Sequence, residues 1–233
     1  TKHGIEVSPI AHYHMGGVRV DGKMETRVPG LFAAGEAVGG ANGANRLSGN
    51  ALSEAFVFGE RAGRFAAEAI GDRVDSWSNE AARSAVDEIM AGRHVAKRQS
   101  GPGLASMLVT LQKIMWQDVG LLRTANGLAN ARTLVQDMRC DIGDYPGASD
   151  HRFALSMQEW FDLRNSLLAA EAIIASAQTR TESRGAHQRG DFPSTDVNQT
   201  HNLISRLDGE GLSVMVAPLI SKPFDLIPLE AAE

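Results

Sequence analysis

The pattern of apolar and polar residues changes along this chain, and it predicts an α/β part followed by a helical part. Residues 5–20 predict a strand, a loop and a second strand, and residues 26–34 predict a turn followed by a short buried strand. Residues 50–70 carry small and apolar side chains at intervals of three and four, which predicts a helix. The N-terminal part of the chain is therefore expected to combine strands with one long helix.

The helix predicted over residues 50–70 has one side made of small and large apolar residues. We expect this side to be buried, because alanine and glycine allow a helix to approach a sheet or another helix closely. It comprises Leu52, Ala55, Phe56, Gly59, Ala62, Gly63, Ala66, Ala69 and Ile70.

The pattern becomes helical and more charged after a predicted linker at residues 71–79. Helices are predicted over residues 79–92, 104–117, 119–140 and 151–178, and the short connections between them predict a small antiparallel bundle. The expected buried side of the last helix consists of Phe153, Leu155, Trp160, Leu163, Leu167, Ala170 and Ile174.

The chain from residue 179 onward is polar and irregular before it ends in apolar stretches. A strand pair is predicted at about 201–206 and 211–218. The polar run RTESRGAH at 180–187 is interpreted first as a solvated helix end that stops at Gly185, with docking against the N-terminal part as the alternative.

Composition excludes several functional classes. The chain has 233 residues, 43% hydrophobic residues, 22% charged residues and a net charge of −5, so attraction to nucleic acid is not indicated. Cys140 is the single cysteine, which excludes an internal disulfide framework and a cysteine-ligated iron–sulfur cluster; we interpret it as structural. No apolar run reaches the length of about 20 residues that spans a bilayer.

Candidate chemistry concentrates in GANRLSGNALSEAFVFG at residues 43–59. A glycine-rich turn carries Arg46 and leads into the predicted helix. A guanidinium group matches a carboxylate or phosphate with two hydrogen bonds, and a helix N-terminus favours negative charge. Arg46 is therefore a candidate anion-binding residue, with an ordinary surface arginine as the alternative.

His12 and His14 lie in the HYHMGG loop just upstream. In an extended segment their imidazoles point to opposite faces, and no acidic ligands lie nearby in sequence, so we expect no metal site here. Glu36 ends the buried strand predicted within residues 26–34 and is either an exposed strand-end residue or an acceptor for cofactor hydroxyls, since open α/β sheets bind ligands beyond the carboxyl ends of their strands.

Four blocks in this order resemble one known family: HYHMGG, VPGLFAAGEA, GANRLSGNAL and, much later, RTESRGAH followed by DFP. The chain is similar to the flavoprotein subunits of succinate dehydrogenase and fumarate reductase, a family that includes L-aspartate oxidase. The resemblance implies part of a Rossmann-like, glutathione-reductase-type FAD-binding domain at residues 1–72. It further implies a helical domain at 73–180 and a C-terminal segment at 181–233 that packs back on the flavin domain.

The resemblance also implies roles for individual residues. His12 and Arg46 match the histidine and the arginine that bind the dicarboxylate substrate. FAD would be contacted by Gly16 and Gly17, by Glu36 near the ribityl or ribose region, and by the helix start at residues 50–52, which is formed by Asn50, Ala51 and Leu52.

The implied activity is the interconversion of a C–C single and double bond in a dicarboxylate such as succinate or fumarate. A hydride passes to or from flavin N5, and the family takes its proton-transferring arginine from a capping domain. Because the chain starts at Thr1 and lacks the family's GxGxxG fingerprint, we expect a fragment or one chain of a cleaved or split polypeptide. Its expected partners are an N-terminal FAD-binding and capping polypeptide and an iron–sulfur electron-transfer subunit.

Three positions depart from residues that are common in the family, namely Asn42, Ala51 and His14. They leave open whether the chain belongs to the respiratory branch or acts on another substrate. The alternatives are an L-aspartate oxidase, or a helical module that docks an electron-transfer subunit. We expect a cytoplasmic location, or a peripheral one on the inner face of a membrane through partner subunits.

Overall fold

A computed structural model describes residues 12–71, 78–91, 103–143, 155–209 and 211–219. The chain divides into two compact units, Thr1–Asn79 and Glu80–Glu233. The first part of the predicted strand–loop–strand segment and most of the predicted linker lie outside the described residues. None of the helices within the described ranges is long and apolar enough to cross a bilayer.

In the first unit, the predicted strands are reduced to isolated bridges among the described residues. Val18 pairs with Val38 in parallel, Val20 pairs with Thr26 in antiparallel, and Glu25 pairs with Phe32 in antiparallel. A 3-10 turn, Gly35–Ala37, stands where the buried strand predicted within residues 26–34 was expected to end. A strand needs a pairing partner along its whole length, and the described part of this unit supplies one only at these positions.

Helix α1, Asn50–Gly71, confirms the predicted helix, but its predicted buried side is confirmed only in part. Ala62 is buried as predicted, whereas Leu52, Phe56 and Ile70 are 69%, 75% and 73% exposed. The side that packs inward carries Ala62 and Phe58, which join a small core around Met24 and Val38, together with the carboxylate of Glu54. The described elements cover only this side of α1, so the more apolar side stays open.

Two glycines allow the loop at residues 12–17 to lie directly on the segment at 37–39. A Cβ atom on Gly17 would stand 2.5 Å from the carbonyl oxygen of Ala37, and one on Gly39 would stand 2.7 Å from the amide nitrogen of Gly17. The adjacent amide of Val18 donates to Ala37 O (2.7 Å), and the amide of Gly39 donates to Val18 O (3.2 Å). Only residues without a side chain permit this approach of two backbones.

The second unit is built from helices and one hairpin. Helix α2, Asn79–Ala91, begins at the boundary between the units, and it is followed by α3, Leu104–Asp118, α4, Ala125–Ile142, and α5, Leu155–Thr179. A 3-10 turn, Val197–Gln199, leads into strands β1, His201–Asp208, and β2, Gly211–Pro218. The predicted helices and the predicted strand pair are confirmed, although α4 begins later than expected.

Thr124 explains the late start of α4. Its side-chain oxygen accepts a hydrogen bond from the amide of Gly127 (3.1 Å), which makes Thr124 the N-cap of the helix. The residues before it form a turn at Gly120, where an added Cβ would lie 2.3 Å from the carbonyl oxygen of Trp116. The apolar period runs through this turn, and for that reason the period alone placed the helix start too early.

The core of the second unit lies between α3, α4 and α5. The predicted buried side of α5 is confirmed for Trp160, Leu163, Leu167, Ala170 and Ile174, which are at most 4% exposed. Leu155 is exposed instead, because it stands at the first residue of the helix, and Phe153 lies outside the described residues. Facing them are Met107, Leu111 and Ile114 from α3, and Leu128, Ala131, Val135 and Met138 from α4.

The hairpin packs on α5. His201 lies opposite Pro218 and Asp208 lies opposite Gly211, in an antiparallel register. The hydroxyl groups of Ser205 on β1 and Ser176 on α5 are 2.8 Å apart and share a hydrogen bond. The polar segment that follows α5 thus returns to the helix through β1.

The segment at residues 180–187 is not the solvated helix end that we favoured, because its glutamate is fully buried. Glu182 is 0% exposed and accepts hydrogen bonds from Arg180 (2.7 Å) and Arg184 (2.8 Å and 3.0 Å). The amide of Asp196 donates to the same carboxylate (2.7 Å). Burial alone would raise the pKa of Glu182, but these donors outweigh it and lower the pKa to about 2.

His187 lies in the same cluster and is held in one neutral form. The guanidinium of Arg123 donates to Nδ1 of His187 (2.8 Å), and since arginine cannot accept a hydrogen bond, this nitrogen carries no proton. The proton is therefore on Nε2, which donates to the carbonyl oxygen of Arg180 (3.2 Å). Burial, followed by the positive charge of Arg123, lowers the pKa of His187.

We predict that Gly17→Ala destabilises the first unit more than Gly16→Ala does. Both glycines have positive φ, at +148° and +103°, so alanine is strained at either position. Only at Gly17 does the new Cβ collide with backbone, which adds about 1–3 kcal/mol for overpacking. Thermal unfolding of the two variants measures the difference, and equal melting temperatures would contradict the close approach.

We predict that Glu182→Gln costs the second unit about 3 kcal/mol, since it leaves two partly buried guanidinium groups, 14% and 28% exposed, without their anion. Glu159→Gln, at an exposed position on α5, is the matched control and should change little. The unfolded pKa of 4.5 exceeds the folded value of about 2, so the unfolded chain binds more protons between these values. The contribution of Glu182 is thus complete above pH 4.5 and disappears toward pH 2.

Denaturant titration at pH 7 and at pH 3 measures this contribution. The gap in unfolding free energy between the parent and Glu182→Gln should narrow at the lower pH. A gap of the same size at both values would show that the carboxylate charge does not stabilise the unit.

Candidate functional site

Three of the four sequence blocks meet within the first unit. The loop at residues 12–17 is joined to the 3-10 turn by a hydrogen bond from the amide of His14 to Oε1 of Glu36 (2.7 Å). It is joined to the start of α1 through Tyr13, whose hydroxyl donates to Oε2 of Glu54. The segment between these elements carries Arg46, so the candidate site is assembled from parts that are distant in sequence.

A buried carboxylate, that of Glu54, lies at the centre of the hydrogen bonds in the candidate site. Glu54 is 6% exposed, and its Oε2 accepts hydrogen bonds from the hydroxyl of Tyr13 and from Nδ2 of Asn42 (2.8 Å). The same amide group of Asn42 also lies 3.1 Å from the hydroxyl oxygen of Tyr13. The second oxygen, Oε1, is buried without a hydrogen-bond partner among the described residues.

Arg46 lies over the ring of Tyr13. The central carbon of its guanidinium group is 4.6 Å from the ring centroid, which is within the range of a cation–π interaction. One terminal nitrogen donates to the carbonyl oxygen of the next residue, Leu47, at 3.3 Å. Within the described ranges, no carboxylate forms a salt bridge with Arg46, and its Nε is buried without a hydrogen-bond partner.

The surroundings of Tyr13 raise the pKa of its hydroxyl. The largest cause is the hydrogen bond to Glu54, and burial and the negative charges of Glu54 and Glu36 raise the pKa further. The positive charge of Arg46 lowers it by less than the other causes raise it. Tyr13 is therefore the neutral donor at neutral pH. It touches the carboxylate through its hydroxyl and the guanidinium through its ring.

The two predicted substrate residues occupy different surroundings. Arg46 is half-buried, whereas His12 is exposed and directly precedes Tyr13 in the loop. The structure thus places His12 beside the residue on which Arg46 rests. His14 is exposed as well, and its backbone, rather than its ring, makes the bond to Glu36. Across the described residues, no group of three or more His, Cys, Asp or Glu side chains could hold a metal ion.

The residues predicted to contact FAD are spread along the same surface. Glu36 is exposed and holds the loop through His14 with one of its oxygens. Gly16 has positive φ and open space where a Cβ would stand, whereas Gly17 faces the backbone of Gly39. Both glycines are exposed to solvent, so both leave backbone accessible to a ligand. Their cofactor-binding roles stay predictions.

The start of α1 offers a mixed surface of polar and apolar groups. Asn50 is exposed and its side-chain amide donates to Oδ1 of Asn42 at a long 3.4 Å. The amides of Asn50 and Leu52 make long turn bonds to Leu47 O (3.4 Å) and Gly49 O (3.2 Å). The bond of Asn50 is longer than ordinary amide hydrogen bonds and that of Leu52 is at the long end of their range, so the Asn50 amide is the more weakly bonded donor. Ala51 is half-buried between them.

Sequence reasoning missed the three polar residues that connect this site: Tyr13, Asn42 and Glu54. Helical periodicity assigns a lone glutamate in an apolar helix to solvent, so Glu54 was not singled out. A usable signal was present, because Glu54 is four residues after Asn50 and therefore lies on the same helix face, directly below the turn that carries Asn42 and Arg46.

The site fits the ligands that the resemblance implies. Arg46 has a buried donor without a partner, a condition that costs free energy until an acceptor reaches it. Its charge is not neutralised by any salt bridge to a described residue, which suits an anionic ligand. The exposed apolar side chains of Leu47, Leu52 and Phe56 lie at and just after the helix start, where an aromatic ring system such as a flavin could cover them.

Comparison with known proteins finds matches in the family that the four sequence blocks resemble. Residues 109–228 match the family model described as fumarate reductase flavoprotein C-term, and residues 2–52 match the FAD binding domain model. The fumarate reductase flavoprotein subunit of Mycobacterium tuberculosis is 35% identical over 227 residues, covering 92% of this chain and 38% of that protein. L-aspartate oxidase of Caulobacter vibrioides is 35% identical over 207 residues, covering 88% of this chain and 33% of that protein.

A solved structure agrees in fold as well as in sequence. The Sdh1 complex of Mycobacterium smegmatis in the apo form superposes with a TM-score of 0.79 at 32% identity, covering 91% of this chain and 37% of the matched chain. This chain therefore spans about a third of the length of these relatives. Because the C-terminal flavoprotein model matches more than half of it, the chain belongs to the succinate dehydrogenase and fumarate reductase family of FAD-dependent flavoproteins, as the four motif blocks predicted.

Proposed function

We propose that this chain forms the C-terminal part of an FAD-dependent oxidoreductase that interconverts a C–C single and double bond in a dicarboxylate of the succinate or fumarate type. The observation that carries the proposal is the guanidinium of Arg46, which is held over Tyr13 without a carboxylate partner among the described residues. A cation placed in this way at the start of a helix is available to a ligand carboxylate.

The residues of this chain would have three tasks in that reaction. Arg46 and His12 bind and orient the carboxylates of the substrate, which polarises the bond between them. Asn50, Ala51 and Leu52 present backbone to the cofactor, and Glu36 with Gly16 and Gly17 lines its ribityl or ribose side. FAD, when bound, accepts or supplies the hydride at N5.

The division into parts is proposed on the same basis. Residues 1–72 contribute to the FAD-binding domain, residues 73–180 form the helical domain, and residues 181–233 follow as a C-terminal segment. The hairpin β1–β2 rests on α5, so the first part of that segment is held within its own unit. The remainder of the FAD site and the capping domain with its proton-transferring arginine would come from an N-terminal polypeptide.

Arg46→Leu tests the dicarboxylate role. We predict that this variant, in the intact flavoprotein, keeps its flavin absorbance but loses about 100-fold or more in affinity for fumarate, because it lacks the charged fork. Arg46→Lys should lose less, since it keeps the charge but not the bidentate geometry. Arg19→Leu, at an exposed position, is the control. The measurement is fumarate reduction with an artificial electron donor, and unchanged affinity in Arg46→Leu would exclude Arg46 from the substrate site.

Oxidation of L-aspartate is the second candidate function, since an L-aspartate oxidase is among the relatives at 35% identity. The same assay with succinate and with aspartate separates the two. Turnover of aspartate without turnover of succinate would select the oxidase, and a colourless protein that never binds FAD would contradict both.

The helical unit is proposed to dock an electron-transfer subunit, such as an iron–sulfur protein. Trp116, Leu121 and Leu122 are large apolar residues that stand exposed at the end of α3 and in the turn that follows it. We predict that Leu121→Glu and Leu122→Glu abolish partner-coupled activity while dye-linked activity persists. Val86→Glu, exposed on α2, is the control. Loss of neither activity would show that this surface is not the docking site.

A further inference from the structure

The guanidinium of Arg46 lacks the means by which arginine side chains are usually held in place. No described carboxylate forms a salt bridge with it, and its hydrogen bond to Leu47 O, at 3.3 Å, is long and made to its neighbour in the chain. A free arginine side chain carries about 2 kcal/mol of rotamer entropy, which a ligand would have to remove on binding. Something other than an ion pair must therefore keep this side chain in position.

The ring of Tyr13 supplies that support. It lies 4.6 Å from the central guanidinium carbon and attracts the cation through its face. A π face holds a planar cation without using its N–H groups, all of which lie in the guanidinium plane. A carboxylate partner in the same place would occupy those donors and cancel the charge that a substrate needs.

The ring is itself fixed at its other end. Its hydroxyl donates to the buried carboxylate of Glu54, and the amide of Asn42 lies within hydrogen-bond distance of both oxygens (3.1 Å and 2.8 Å). Burial of a carboxylate is costly, and within the described part of the chain Glu54 is bonded only to Tyr13 and Asn42. Donation to an anion also enriches the phenol ring in electron density, which strengthens its attraction for a cation.

We propose that Tyr13 is a positioning residue for dicarboxylate binding: Glu54 and Asn42 fix its ring, and the ring holds the guanidinium of Arg46 with its N–H donors free for the ligand. This proposal rests on the proposed function, since it requires that Arg46 binds the substrate. It assigns to Tyr13, Asn42 and Glu54 a role that is exerted through Arg46.

A double-mutant cycle in the intact FAD-loaded protein tests the proposal. Malonate is the probe, because it carries two carboxylates but has no C–C bond between methylene groups to oxidise, and its dissociation constant is measured by titration calorimetry. Tyr13→Leu should weaken malonate binding about tenfold, a loss that matches a partly desolvated cation–π contact. In the Arg46→Leu background the same change should have no further effect, because its target is gone.

Two conservative variants keep the test meaningful if Tyr13→Leu does not fold. Tyr13→Phe keeps the ring but loses its tether, and Glu54→Gln keeps the shape but loses the negative charge, so each should weaken malonate binding by about threefold. Phe65→Leu is the matched control, since Phe65 carries Arg64 at 4.4 Å on the same helix away from this cluster. It should leave malonate affinity unchanged.

The outcomes separate the inference from the proposed function. An equal loss of affinity on Tyr13→Leu in both backgrounds, or no loss in any Tyr13 or Glu54 variant while Arg46→Leu binds weakly, would overturn the positioning role and leave the function intact. Unchanged malonate binding in Arg46→Leu would overturn the proposed function and the inference with it.

Discussion

The candidate site depends on one buried carboxylate. Glu54 reaches from the second turn of α1 to the loop that carries His12 and Tyr13 and to the segment that carries Asn42. It ties these parts together where the described residues provide no extended sheet to do so. The apolar core of this unit is small, centred on Met24, Val38 and Ala62, so polar contacts carry an unusual share of its organisation.

The chain contains a second buried glutamate, Glu182, whose hydrogen-bond partners are mainly cations rather than neutral groups. Glu182 faces two guanidinium groups, and its pKa is lowered to about 2 as a result. Glu54 accepts hydrogen bonds from the neutral groups of Tyr13 and Asn42, and one of its oxygens has no partner within the described ranges. Pairing with cations stabilises a structure but neutralises its charges, which suits a scaffold. Pairing with neutral donors keeps the nearby cation of Arg46 uncommitted, which suits a binding site.

Much of the fold follows from local pattern. The periodicity of the chain was sufficient to predict α1, α2, α3, α5 and the hairpin as elements, because each of these segments keeps one repeating pattern along its length. It was insufficient where a single side chain decides the outcome, as Thr124 does at the start of α4. It was also misleading for α1, since the more apolar side of that helix is the one left exposed.

The residues of the candidate site were likewise predicted only in part. The residues of the family motifs could be identified from sequence, and the structure brings three of the four blocks into contact within the first unit. The polar residues between them could not, because hydrogen bonds between Tyr13, Asn42 and Glu54 join positions far apart in the chain. The burial of the 180–187 segment was hidden for a related reason, since the amide of Asp196 reaches the Glu182 carboxylate from 14 residues further along the chain.

The close approach of Gly17 to Gly39 leaves the side chains of the loop at residues 12–17 free to vary among related proteins. The loop at 12–17 is registered by backbone contacts at Val18, Ala37 and Gly39 and by the backbone amide of His14. None of these contacts uses the side chains of His12, His14 or Met15. The imidazole of His14 can thus be exchanged for other groups without shifting the loop, which makes this position a place where related proteins can acquire new ligand preferences while the framework around Arg46 is preserved.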